Sequence, residues 1–166
     1  MKTFQLMKLF EDELKNILWA EKALTKAIPF LIKNATSRDL IEVLSLHLEQ
    51  TNKHVERLSE VFSHINKKPI AIKCEVMESL IKEARKIIES CESGSMRDAA
   101  IVSAVQKVEH YEIATYVTLR QFVKKLGLIE VAELLKVTLQ EEKATDKKLS
   151  EVVTSAINVE VAEEEV

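Results

Sequence analysis

Glycine and proline are almost missing from this chain, with two of each in 166 residues. Folds made of many short strands and tight turns need both at their bends, so the scarcity argues against an all-β or loop-rich architecture. Cysteine is as rare. Cys74 and Cys91 have no CxxC spacing, which reads as two reduced core thiols rather than a disulfide or a thiolate metal site. No sign of charge dominates, since 24 Lys and Arg face 27 Asp and Glu for a net −3. The basic residues form no stripe that could track phosphates, so nucleic-acid binding is not expected. Long apolar runs are lacking too: residues 27–32, interrupted by Pro29, fall far short of the roughly 20 residues of a membrane span. The first residues show neither the basic segment nor the apolar stretch of a signal peptide. These absences lead to the expectation of a soluble, cytoplasmic protein. A hydrophobic content of 46% is enough to build one sizeable core.

What is present is long helical periodicity. Gly94, Gly127, Pro29, Pro69 and the cluster at residues 34–37 mark the breaks. They leave a first helix over about 2–33, kinked near Pro29, and a second reaching about Ile65, opened by Thr36 and Asp39 in a capping box. A long connection, Asn66 to Ser95, holds a short amphipathic helix at about 75–92. Ser95 with Asp98 starts the third long helix, which ends in Lys124, Lys125 and Gly127. The fourth covers about 128–156. Residues 1–157 thus make one bundle domain, and residues 158–166 read as a solvated acidic tail.

Each long helix fits a heptad stripe in which two positions per seven face a bundle core. The first gives Phe10, Leu14, Ile17, Glu21, Leu24, Ile28 and Leu31; the second gives Ile41, Leu44, Leu48, Thr51, Val55, Leu58 and Phe62. The third gives Ile101, Val105, Val108, Glu112, Thr115, Leu119 and Phe122, and the fourth Leu128, Val131, Leu135, Thr138, Glu142, Thr145, Leu149 and Val152. Two short connections imply antiparallel neighbours, while the long middle one can travel the length of the bundle. The fold expected is all-α: a ferritin-like antiparallel four-helix bundle with a long crossover containing a short extra helix.

Three glutamates, Glu21, Glu112 and Glu142, interrupt these stripes, each near the middle of its own helix. Antiparallel helices of similar length bring their midpoints to one level, so the three carboxylates meet. Each costs several kcal/mol to bury unpaired. A multivalent cation is the simplest remedy. Glu109 shares the face of Glu112 as an ExxE pair, and Asp146 lies one turn beyond Glu142. His47 borders the second stripe and His54 follows one heptad later, so either could supply an imidazole. Small threonines near the same level leave room for ions. Hard carboxylates with an imidazole suit iron or manganese. The competing reading is a polar layer in which Thr, Tyr, His and Lys side chains satisfy paired or protonated carboxylates. Tyr111 and Tyr116 flank the stripe, where they could hydrogen-bond a ligand or serve as a redox-active phenol near oxygen chemistry, and are read mainly as packing residues.

Several stretches carry a resemblance over about residues 9–152. They are Trp19-Ala20-Glu21-Lys22, His47-Leu48-Glu49-Gln50-Thr51 and Lys73-Cys74-Glu75-Val76-Met77-Glu78. More specific are Gln106-Lys107-Val108-Glu109-His110-Tyr111-Glu112-Ile113-Ala114 and Glu141-Glu142-Lys143-Ala144-Thr145-Asp146. In these the chain resembles the YciE/YciF-type bacterial stress-response family of the ferritin-like superfamily. The resemblance implies a homodimer with a dinuclear metal centre and a link to stress. Ferritin-like di-iron sites take one Glu plus an ExxH from each half of the bundle. Here Glu21 and Glu112 correspond to the single carboxylates and Glu109 gives an ExxE variant. The ExxH pairs are absent: Thr145 follows Glu142 at that spacing, which leaves Asp146 or the neighbouring Glu141 to replace that imidazole, and Asn52 follows Glu49. The metal ligands expected are therefore Glu21, His47, Glu109, Glu112, Glu142 and Asp146, with Glu49 or His54 as weaker substitutes for His47. His54 and His110 read as outer or surface residues.

The function expected is that of a stress-related protein with a dinuclear iron or manganese site that reduces dioxygen or peroxide or handles iron. The alternative is a dimeric structural or interaction bundle whose site is vestigial.

Overall fold

The computed structural model describes the backbone of residues 2–164 and the side chains of residues 2–155. Five helices follow one another: α1 (Lys2–Asn34), α2 (Arg38–His64), α3 (Glu75–Ser90), α4 (Ser95–Lys125) and α5 (Ile129–Glu164). Among the described residues there is no strand. The helix α1 continues unbroken through Pro29. The turn before α2 differs from the capping box expected at Thr36. Ser37 is the N-cap and accepts from the Leu40 N–H at 3.3 Å. Thr36 instead donates its N–H and hydroxyl to Asp98, at 2.8 and 2.7 Å, and the Ser37 N–H donates to the same carboxylate at 2.7 Å. Asp98, expected to cap its own helix, thus secures the α1–α2 turn from the first turn of α4. Gly127 ends α4 at φ +75°, a left-handed conformation that glycine adopts freely.

The four long helices form a square in which α1 contacts α2 and α4, and α5 contacts α2 and α4. Cross-helix partners fix the directions. Glu21 meets Tyr116 while Thr36 meets Asp98, so α1 and α4 are antiparallel. Arg57 meets Thr138 while Gln50 meets Thr145, so α2 and α5 are antiparallel. The crossover climbs beside α1: Lys67 pairs with Glu11 at 3.3 Å, the Ile72 N–H donates to the Lys15 carbonyl, and Arg85 reaches Phe30. Its helix α3 covers the groove between α1 and α4. This is the ferritin-like bundle with a long, helix-bearing crossover.

The stripes on α1 and most of α5 are buried as expected. On α2 the buried side chains are Leu40, Leu44, His47, Thr51, His54, Leu58 and Val61 with Phe62, whereas Ile41, Leu48 and Val55 are only half-buried. The core face is turned by one residue from the expected stripe, which brings both histidines inside. On α4, Tyr116 and Val123 replace Thr115 and Phe122 as fully enclosed residues. The helix α5 runs on through the acidic stretch expected as a tail, as far as Glu164. Residues 165–166 lie outside the described residues.

Candidate metal centre

At mid-height the bundle encloses Glu21 from α1, His47 and His54 from α2, Glu109 and Glu112 from α4, and Glu142 from α5. All are 0–1% exposed. Local spacing explains the convergence: His47 and His54 are one heptad apart, and Glu109 and Glu112 are three apart, so each pair shares one helix face. The ligand atoms fall into two groups, each within 4.8 Å: His47, Glu109, Glu112 and Glu142 in one, Glu21, His54 and Glu142 in the other. Glu142 belongs to both.

Hydrogen bonding orients these groups without exhausting them. The Tyr116 hydroxyl donates to Glu21 Oε1 at 2.5 Å. His54 Nε2 lies 2.9 Å from Glu141 Oε2, and the same oxygen accepts from Arg57 at 3.0 Å. That contact fixes the ring so that Nδ1 faces inward, 3.3 Å from Glu21 Oε1 and 2.9 Å from Glu142 Oε1. His47 Nε2 lies 3.0 Å from Glu109 Oε1, too poorly aligned for a hydrogen bond. Among the described residues, both oxygens of Glu109, Glu112 and Glu142, one oxygen of Glu21, both nitrogens of His47 and Nδ1 of His54 have no hydrogen-bond partner. Polar atoms so deeply buried are rarely left unpartnered. A donor set of four carboxylates and two imidazoles, with lone pairs converging on two points, fits two hard or borderline divalent cations.

Electrostatics agree. Burial, and then the neighbouring carboxylates, push Glu109 and Glu112 well above the ordinary carboxylate range. Burial also raises Glu21, against the pull of His54. Burial would lower His54, but Glu21 and Glu142 outweigh it and lift the imidazole to about 10. Glu142 keeps its charge: burial would raise it, yet His54 and Glu109 hold it down at about 2. Burial lowers His47, which is therefore a neutral imidazole. Without a cation, Glu142 pairs with the His54 imidazolium while burial favours the protonated forms of Glu109 and Glu112.

Of the ligands expected from sequence, the structure brings together Glu21, His47, Glu109, Glu112 and Glu142. It places Asp146 elsewhere, on the outer side of α5. There it accepts from Gln106 at 3.3 Å and sits 3.1 Å from His110 Nε2, with its side chain 24% exposed. Glu49 is exposed and bound to Lys53. His54, expected at the periphery or as a weaker substitute for His47, is a central member. The heptad spacing from His47 already marks it as a possible imidazole donor; the further signal that places it in the core is its phase with Leu40, Thr51, Leu58 and Val61.

Fold and site together define a ferritin-like bundle with a buried carboxylate–histidine centre. The chain belongs to the family described as Domain of unknown function (DUF892), which it matches over residues 5–162. It is 44% identical over 157 residues to Protein YciF of Escherichia coli K12, covering 92% of this chain and 95% of that one. The crystal structure of the E. coli stress protein YciF superposes with a TM-score of 0.89 at 42% identity, over 92% of this chain and 97% of the other. YcfI of Rhodopseudomonas palustris, provisionally given a structural role, superposes with a TM-score of 0.86 at 41% identity, over 87% and 92%. A Xanthomonas campestris protein shares the fold alone, with a TM-score of 0.73 at 17% identity over the whole of both chains.

Proposed function

We propose that this protein holds two iron or manganese ions at Glu21, His47, His54, Glu109, Glu112 and Glu142, and acts on dioxygen or peroxide or manages iron during stress. The observation that carries this reading is the enclosed set of unpartnered ligand atoms divided into two groups that share Glu142. Its inventory equals that of ferritin-like dinuclear centres, four carboxylates and two imidazoles, but distributed differently. Here α2 supplies both histidines and α4 supplies a pair of glutamates, which accounts for the missing ExxH motifs.

Each residue has a part. Glu142, shared by the two groups, would hold both ions. Glu141, held by Arg57, receives the outer N–H of His54 and keeps Nδ1 pointing inward, the carboxylate support common behind metal-bound histidines. Tyr116 anchors Glu21 and, deeply buried beside it, stays protonated. The surrounding apolar layers exclude bulk water. Two bound ferrous ions would supply two electrons, which with two protons reduce dioxygen to hydrogen peroxide, or peroxide to water. A homodimer, implied by the family resemblance, and a cytoplasmic location are part of the same proposal.

Anaerobic loading with ferrous iron and elemental analysis test this. The parent should retain about two irons per chain and a Glu112→Ala, Glu142→Ala variant almost none, as the ligand inventory requires. Negligible metal in both would overturn the proposal and favour a polar layer in a structural bundle.

A further inference from the structure

A narrow cleft lined from α1, α3 and α4 opens at the surface and reaches His47, with a cavity volume of only about 20 Å³. At its outer end the exposed Arg85 lies 4.5 Å over the ring of Phe30. Its walls are hydrocarbon, with Leu24, Ile28, Ala84, Ala104 and Val108 among them, and at its buried end stands His47. Between Arg85 and His47 the lining offers no side-chain hydrogen-bonding group.

We infer that this cleft is the route by which dioxygen reaches the His47 side of the centre. Apolar walls give water and hydrogen peroxide nothing to bond to, so either would lose its hydrogen bonds on entering. A hydrated cation would lose far more. Dioxygen is small, uncharged and apolar, and loses almost nothing. The three alanines along the passage, Ala27, Ala84 and Ala104, keep it open where larger side chains would close it. Arg85 and Phe30 form the mouth. The passage therefore selects dioxygen over peroxide at this side of the centre. The inference rests on the metal-centre reading, but its first test does not.

In the metal-free full chain under dissolved dioxygen, paramagnetic relaxation of methyl NMR signals locates the gas. The methyls of Ala84, Ala104 and Val108 should relax several-fold more strongly than those of Leu14 and Leu149, which are fully buried elsewhere. Equal relaxation overturns the inference even if the protein binds metal. An Ala104→Leu variant, checked for helix content, should lose this enhancement. Loaded with ferrous iron, it should be oxidised by dioxygen several-fold more slowly than the parent, with peroxide-driven oxidation unchanged. An unchanged dioxygen rate, or both oxidants slowed alike, overturns it. Should Ala104→Leu fail to fold, Ala84→Leu on α3 plugs the same passage. A parent that takes up no iron defeats the metal reading, and the relaxation experiment still decides where dioxygen goes.

Discussion

Replacing His54 by alanine removes the imidazole of the Glu21 group and leaves the His47 group whole. Metal content should fall from about two ions per chain to about one, whereas Asp146→Ala, which removes a carboxylate bound to His110 and Gln106, should leave it unchanged. Glu141→Ala should weaken binding at the Glu21 side by about 10–100-fold in calorimetric titration, since the ring it steadies loses its outer partner. Equal metal content in the His54→Ala and parent proteins would show that His54 is not a ligand. Glu21, Glu112 and Glu142 were legible because charge on an apolar stripe stands out. His54 was not, because the apolar Ile41, Leu48 and Val55 offered a plausible stripe one residue away. Histidine, tolerated on either face, did not break the tie. Tyr116 was legible as a phenol flanking the stripe and able to hydrogen-bond a ligand, as it does to Glu21, but its full enclosure in place of Thr115 was not.

At the scale of elements, the helices and their order follow from sequence because heptads, caps and two glycines punctuate them. The tertiary cap was not readable: Asp98 looks like a local helix starter, yet its partners are about sixty residues back in the chain, Thr36 and Ser37. Asp98 is only 3% exposed and accepts three hydrogen bonds. Asp98→Ala leaves two backbone N–H groups without their acceptor and should cost about 2 kcal/mol, or roughly 4–8 °C in thermal midpoint. Circular dichroism melting of metal-free protein measures it. An unchanged midpoint would mean that water replaces the carboxylate fully. The extent of α5 was likewise hidden, since an acidic composition reads as a tail whether or not the backbone continues as a helix.

For the whole molecule, the centre links stability to pH and to metal. Glu109, Glu112 and His54 are all raised in the folded chain. Their protonated forms contribute stability that is fully present below the unfolded values and lost as pH rises through the folded ones. For His54 the window runs from the ordinary 6.5 to about 10. Metal-free protein should therefore lose thermal stability as pH rises across that range. Loaded protein should lose much less, because cations have already displaced those protons, and its formation should release protons. Parallel pH dependence in both forms would contradict this coupling. The bundle topology was visible in one long and two short connections, but the meeting of six side chains from four helices depends on helix rotation, which composition does not specify.

The most direct test of the central claim is anomalous diffraction at the iron edge from crystals of anaerobically loaded full-length protein. Two peaks should appear at mid-bundle, one within the His47, Glu109, Glu112 and Glu142 group and one within the Glu21, His54 and Glu142 group, with Glu142 touching both. A centre without anomalous density, or iron found only at outer carboxylates such as Asp146, would contradict it.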